Sequence, residues 1–534
     1  MAKFDVLIQN ARVIDGSGNP WFYSDLGVTG DKISAIAAKI PKTEAHQTID
    51  ATGLVLCPGF IDIQSHSIVP LMRDGRCLGK ITQGVTLEVM GEGWTPAPFG
   101  GEIAEPFSSS SVLPEEWHDR ARGWKNFKDW LEFMEGKVSP NVASFLAGGT
   151  LREYACGMRM GAADASELEV MRRVMADAMT DGAMGVAYAL IYPPDEFVST
   201  PEIIEVCKVA ASFGGLYITH MRSEGDGLLE GVKETLEIAR AAKIPTEIYH
   251  LKASGERNWY KMPEVLAMIR DTRASGLDVT ADMYPYPASG TGLDAILPTW
   301  VSAQGKFWDN LENPEITAKI KADILEGHGD MNTSRPEIIM PIGFRKPENQ
   351  NYVGMKLSKI AAARGTDWVD CVFDLLRSER QRIGTVYFTM SEENLKLQLL
   401  EPWVKISSDA GGHDPSTASE AVHPRGYGTF PRVLGKYVRE EKLLSLEEAI
   451  RKMTSSVAKR LSIPDRGRLE VGCYADLVLF DPETVSDLAT FEKPHQLSVG
   501  IEHVWVNGVR VLEHGRHTGA LPGRFVRGAG FLRT

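Results

Sequence analysis

Eight short apolar runs, rich in β-branched and aromatic residues and separated by stretches of helical periodicity, constrain the fold of this 534-residue chain more than any other feature. The candidate strands cover residues 54–63, 85–90, 142–146, 184–190, 216–219, 246–249, 278–284 and 404–407. Helical patterns, with apolar residues three and four apart, include 167–180, 229–242, 262–274 and 446–453. Strand and helix in alternation predict a parallel sheet covered by helices. Eight such units suit closure into an α/β barrel of the (β/α)8, or TIM-like, kind. The stretch from about 288 to 402, between the seventh and eighth strands, is too long for a loop and is expected to hold its own helices as a lid over the barrel mouth.

Both ends of the chain have a different texture. Short strands and turns follow one another over 4–9, 12–14, 25–28 and 32–37, and again over 475–481 and 501–512. In the second group Asn507-Gly508 separates two apolar runs, a strong hairpin signal. Neither end can close a core alone, so the two are expected to pair into one β-sandwich, residues 1–56 with 467–534. The barrel then occupies 57–466, with the helical insertion at about 288–402 inside it.

Composition narrows the function classes. The net charge of −13, without clustered Lys and Arg, excludes a surface built for nucleic acid. No run approaches the ~18 apolar residues of a membrane span. The N-terminus reads directly as a strand, without the basic and apolar regions of a signal peptide. The six cysteines include no CxxC pair, which points to reduced, buried thiols and a cytoplasmic address.

Three polar residues stand at the C-terminal ends of candidate strands, where a parallel α/β barrel keeps its chemistry. His220 follows Gly-Leu-Tyr-Ile-Thr, His250 follows Pro-Thr-Glu-Ile-Tyr, and Asp409 follows Trp-Val-Lys-Ile-Ser-Ser. Two imidazoles and a carboxylate at one mouth suit a divalent metal and the water it activates.

Several longer motifs then become informative. Pro58-Gly-Phe-Ile-Asp-Ile-Gln-Ser-His66 and Ile81-Thr-Gln-Gly-Val-Thr86 resemble the first-strand signature of the amidohydrolase superfamily and the segment after it. Tyr217-Ile-Thr-His-Met-Arg222, His250-Leu-Lys252, Asp282-Met-Tyr-Pro-Tyr286, Met390-Ser-Glu-Glu393, Ser408-Asp409 and His423-Pro-Arg-Gly-Tyr-Gly-Thr-Phe-Pro-Arg432 resemble the N-acyl-D-amino-acid deacylases, or D-aminoacylases. The resemblance continues into Ala475-Asp-Leu-Val and Phe491-Glu-Lys-Pro-His495, so it spans nearly the whole chain. It implies a metal-bearing (β/α)8 barrel with a β-sandwich from both termini, and zinc-dependent hydrolysis of the acyl amide of N-acyl-D-amino acids. It also implies His220 and His250 as zinc ligands, Asp409 as general acid and base, and Lys252, Tyr284 and Ser289 as contacts to the carboxylate of a small-molecule substrate. A homo-oligomer is compatible with it.

The metal site departs from the family pattern. The first-strand His-x-His is Gln64-Ser-His66, and Gln is a poor zinc ligand beside His, Cys or a carboxylate. Where the family has Gly-Asn-Cys-Gly, with a bridging thiolate, this chain has Gly91-Glu-Gly-Trp94. Glu92 is a candidate oxygen ligand if the turn after it reorients the backbone; otherwise it faces the barrel rim or a substrate amine. A site with one zinc is expected, held by His220, His250 and Glu92, with His66 as fourth ligand or hydrogen-bond donor. A second ion is disfavoured by Gln64.

Tyr192, beside Pro193-Pro194, is a candidate oxyanion donor. The segment Gly290-Thr-Gly-Leu-Asp294 supplies no Arg, which argues against a site for acidic side chains. His413 and His423 are read as loop or structural histidines. Two other readings stay open: a dihydroorotase- or hydantoinase-like cyclic-amide hydrolase, against which stands the absence of a lysine from the fourth candidate strand, and a catalytically inactive amidohydrolase-fold protein, which Gln64 and the missing thiolate motivate.

Overall fold

The structure, a computed structural model, describes residues 2–106, 113, 115–298, 300–302, 306–326, 335–418 and 421–532. Its central feature is two all-parallel sheets that run into each other. One carries six strands in the order Val404–Ile406, Val279–Met283, Thr246–Ile248, Leu216–His220, Gly185–Ala189 and Leu146–Ala147. The other carries Phe60–Asp62, Val85–Met90 and Asn141–Ser144. At one junction only Phe145 separates two strands, and its amide still donates to Met90 O at 2.9 Å. At the other, Ser65 bridges Ala410 in parallel and the Asp409 amide donates to Gln64 O at 2.9 Å.

Alternation within each strand divides the two faces. Ile61 and Ile63, Leu87 and Val89, Ala143 and Phe145 gather with Ala187 and Ile218 into one buried cluster. Their neighbours Phe60, Val85, Val186 and Tyr217 belong instead to the clusters that contain the covering helices. Those helices begin and end on local signals. Ala165–Asp181 is opened by an Asp164/Glu167 capping box and closed by Gly182 at φ 107°. Leu228–Ala242 buries a stripe that includes Val232, Leu236 and Ala239.

The chain termini share a nine-stranded sheet, in which Val55–Pro58 lies between Leu477–Phe480 and Phe4–Val13. The hairpin at Asn507-Gly508 forms with both residues at positive φ, 50° and 77°. Residues 54–63, expected as one strand, are two. Val55–Pro58 pairs in the terminal sheet and Phe60–Asp62 in the parallel one, because the chain turns at Gly59, where a Cβ would lie 2.1 Å from Thr86 Oγ1. Beyond the terminal sheet, Phe525 bridges Val142 and joins a core cluster of the parallel sheet and its covering helices.

The insertion is not purely helical. Besides helices such as Pro314–Glu326 and Trp368–Glu379, it holds an antiparallel sheet in which Gly384–Tyr387 pairs with Ser289–Gly292 on one side and Ile339–Pro341 on the other. Ser-Gly-Thr-Gly carries no apolar alternation, so this sheet left no periodic trace in the sequence. Among the described residues no helix is long and apolar enough to cross a membrane. All six cysteines are buried and unpaired.

Candidate active site

A cavity of about 450 Å³ opens at the C-terminal ends of the parallel strands, with the insertion's antiparallel sheet as one wall. Strand ends bring His66, Glu92, His220, His250 and Asp409 to its floor. The metal-ligating atoms of Glu92, His220 and His250 lie within 4.8 Å of one another, as do those of His66, Glu92 and Asp409. Glu92 joins the two groups. Its Oε1 is 3.2 Å from His220 Nδ1 and 3.3 Å from His250 Nε2, and its Oε2 is 3.3 Å from His66 Nε2.

Glycines on both sides make that position reachable. Gly91 has φ 118° and Gly93 has φ 71°, and a Cβ on Gly91 would lie 2.4 Å from Phe145 O. The Glu92 carboxylate is thereby carried over the strand end to the imidazoles. Gln64, where the family signature has histidine, donates through Nε2 to Glu92 Oε2 at 2.5 Å and lies 3.3 Å from Asp409 Oδ1.

Two of the candidate site residues sit on strained backbone. His250 has φ 32° and Asp409 has φ 49°, a region that costs a non-glycine residue about 1 kcal/mol or more. Each is held there by its neighbours. The His250 amide donates to Asp282 Oδ1 at 2.9 Å, and Ser407 Oγ donates to the same oxygen at 2.6 Å. Beneath Asp409, the fully buried Lys80 ammonium lies 2.6 Å from Asp62 Oδ2 and 2.7 Å from Ser408 Oγ, tying the first parallel strand to the last.

Glu224 is a partner that the sequence reading did not single out, although it lies four residues after His220. Its carboxylate is 3.5 Å from His220 Nε2, 3.0 Å from His250 Nδ1 and 2.6 Å from Lys252 Nζ. Lys252, expected to face a substrate carboxylate, lines the cavity but has its ammonium on Glu224 and 2.8 Å from His250 Nδ1. Arg425, inside the His423-Pro-Arg motif, was likewise given no role. Its Nη1 stands 2.6 Å from Asp409 Oδ2 and its guanidinium lies over the Tyr284 ring at 4.4 Å.

Ser289 lines the cavity with its Oγ buried and unpartnered, and the Tyr284 hydroxyl reaches Met390 Sδ at 3.5 Å. The Tyr192 ring meets the edge of His220 at 5.7 Å, and its hydroxyl is 2.7 Å from Thr291 Oγ1. His423 hydrogen-bonds Ala288 O at 3.0 Å.

The electrostatics fit a cation. Burial works against the charge on Glu92, yet His250, His220 and His66 hold its carboxyl well below the usual range. Burial likewise opposes ionisation of Asp409, which Arg425, His250 and the His66 hydrogen bond hold at about 2. In return these acids load the imidazoles. Burial and Lys252 lower His250, but Glu224, Asp409 and Glu92 outweigh them and bring it to about 10. Hydrogen bonds to Asp409 and Glu92 overcome desolvation at His66 and bring it to about 9. A divalent ion among two imidazoles and a carboxylate supplies the positive charge that these protons otherwise provide. His220 Nδ1 and His250 Nε2, which both face Glu92 Oε1, are the nitrogens placed for that use.

Comparison with known proteins agrees with this architecture. Residues 359–512 match the model of an amidohydrolase family. A D-aminoacylase of Alcaligenes xylosoxydans xylosoxydans is 36% identical over 98% of this chain and 97% of its own. The chain belongs to the N-acyl-D-amino-acid deacylase family. An N-acyl-D-glutamate deacylase of the same organism is 33% identical over 98% of this chain and 97% of its own. The deacylase family also supplies a solved structure, that of an N-acyl-D-glutamate deacylase from Bordetella bronchiseptica complexed with zinc and a phosphonate mimic of the tetrahedral intermediate. It superimposes with a TM-score of 0.83 at 30% identity, covering 98% of this chain and 100% of that one.

Proposed function

We propose that this chain is a zinc-dependent hydrolase that cleaves the acyl amide of N-acyl-D-amino acids into a carboxylate and the free D-amino acid. The observation that carries the reading is the convergence of Glu92, His220 and His250 at a strand-end cavity that also holds Asp409, in a chain of deacylase ancestry. The scaffold is a (β/α)8 barrel over about 57–466, with the insertion from about 288 to 402 and a β-sandwich built from 1–56 and 467–534.

His220, His250 and Glu92 would hold one zinc ion, with His66 as a further candidate ligand, and Gln64 disfavours a second. Zinc so held supplies a Lewis acid next to the scissile carbonyl and makes water acidic enough to attack near neutral pH. Glu224 stands 3.0 Å from His250 Nδ1 and 3.5 Å from His220 Nε2, the nitrogens turned away from Glu92, which supports a role in orienting both imidazoles. Asp409, ionised across the working range, accepts the proton of the attacking water. It then passes that proton to the leaving nitrogen, which departs poorly without one. His66 and Arg425, on its two oxygens, keep it aimed.

The Tyr192 hydroxyl, whose ionisation burial opposes, stays a donor and is placed to stabilise the oxyanion. Arg425, Ser289 and Tyr284 form the pocket for the substrate α-carboxylate. Lys252 reaches it only by leaving Glu224.

The decisive experiment measures amine release from paired N-acetyl-D- and N-acetyl-L-amino acids, with the metal content of the protein counted. Chelator-sensitive turnover restricted to D-substrates, with about one tightly bound ion per chain, is expected. Glu92→Ala is expected to lose the ion and at least ~100-fold in kcat/KM. A variant that keeps both would sink the ligand assignment, and a wild-type protein that retains no metal would favour the inactive reading.

A further inference from the structure

The cavity contains a guanidinium that the proposed reaction does not use. Arg382 lies just before the insertion strand Gly384–Tyr387 and lines the cavity on the Tyr192 side, away from the Arg425–Asp409 pair. Its guanidinium lies over the Tyr192 ring at 5.1 Å, and Tyr192 in turn meets the edge of His220 at 5.7 Å. The group thus stands one aromatic ring away from the proposed metal ligands.

Its immediate surroundings hold it in place without saturating it. Nη2 donates to Thr291 Oγ1 at 2.5 Å, the same oxygen that Tyr192 OH reaches at 2.7 Å. Asp294 Oδ1 is 3.4 Å from Nε, an ion-pair approach without a hydrogen bond, and Nε is buried with no acceptor. The backbone has been cleared for this side chain. A Cβ on Gly292 would fall 2.3 Å from Arg382 Nε and 1.9 Å from Asp294 Oδ1. The side chain keeps 28% exposure where it lines the cavity, and a guanidinium in such a partly desolvated place is suited to a carboxylate, which it meets with charge-assisted hydrogen bonds.

We propose that Arg382 reads a second carboxylate on the substrate, so that this chain selects N-acyl derivatives of acidic D-amino acids. The inference rests on the deacylase reading above. With the α-carboxylate at Arg425, Ser289 and Tyr284, a neutral side chain would leave the Arg382 charge with Asp294 alone, at 3.4 Å and without a hydrogen bond, whereas a side-chain carboxylate adds a hydrogen-bonded partner. Gly290-Thr-Gly-Leu-Asp294 carries no Arg, but it carries the Thr and the Asp that orient one donated from far along the chain.

The test compares kcat/KM for N-acetyl-D-glutamate and N-acetyl-D-aspartate with that for N-acetyl-D-leucine and N-acetyl-D-methionine in the zinc-loaded protein, together with binding of N-acetyl-D-glutamate to the metal-depleted protein by calorimetry. The wild type is expected to favour the acidic substrates. Arg382→Met is expected to lower kcat/KM for them about 100-fold, the scale of a lost charge-assisted pair, while changing the neutral substrates less than about threefold. Arg382→Lys should recover part of the loss. Gly292→Ala, which displaces the guanidinium without removing it, should copy the Arg382→Met profile. Preference for neutral substrates, equal losses on both classes in Arg382→Met, or unchanged calorimetric binding in that variant overturns the assignment while leaving deacylation intact. Absence of turnover on every D-substrate overturns the deacylase reading and this inference with it.

Discussion

At the scale of single residues, the site shows how far a sequence can be read. His220, His250 and Asp409 were legible as candidates because each closes or directly follows an apolar strand, and the strand end sets where its side chain goes. Glu92 was legible only as a candidate, since its reach depends on the positive φ of Gly91 and Gly93, which one-letter spacing does not encode. Glu224 and Arg382 lay hidden because each is a polar residue in a loop or at a strand edge, recognisable only by what faces it. Glu224→Gln is expected to weaken zinc binding by about 10- to 100-fold, by removing the carboxylate behind both imidazoles, and equilibrium dialysis against a competing chelator would measure it. Asp195 gives a prediction about stability. Burial pushes its carboxyl up to about 8 against the Ala189 amide that donates to it at 2.7 Å, so the folded state keeps a proton that the unfolded chain releases near 4. Stability therefore falls as pH rises from about 4 to about 8, and Asp195→Asn should flatten that fall in thermal melts taken across the window.

At the scale of elements, the strands and helices of the parallel sheet were well marked because buried strands read as continuous apolar runs and helices as stripes. The helices Met262–Ala274 and Leu446–Met453 begin and end where periodicity places them. The insertion's sheet was invisible for the opposite reason, since Ser289–Gly292 stays together through backbone pairing with Gly384–Tyr387 and not through an apolar face. How the first and last parallel strands meet also needed the structure, because the buried Lys80 that joins Asp62 to Ser408 looks in sequence like any helix lysine. Lys80→Met leaves Asp62 and Glu88 buried without their counter-ion and is expected to cost about 3–5 kcal/mol. Denaturant unfolding would register this, and adding Asp62→Asn should restore part of the loss.

At the scale of the whole molecule, pairing of the two chain ends was foreseen from their shared texture, but the path of the final segment was not. Beyond the terminal sheet, Phe525 bridges Val142 and joins a core cluster with Trp130, Met134 and Met179. Phe525→Ala is expected to destabilise the protein by about 3–5 kcal/mol through the cavity it opens, and a lowered melting temperature with an unchanged metal content would confirm a packing role. The order of strands in the terminal sheet has a consequence for biosynthesis. Val55–Pro58 is flanked on one side by Phe4–Val13 and on the other by Leu477–Phe480, so a nascent chain emerging from the ribosome carries that strand with one edge bare until more than four hundred further residues have been translated. The opening strands must wait, exposed to chaperones and to neighbouring nascent chains, for a partner made that much later.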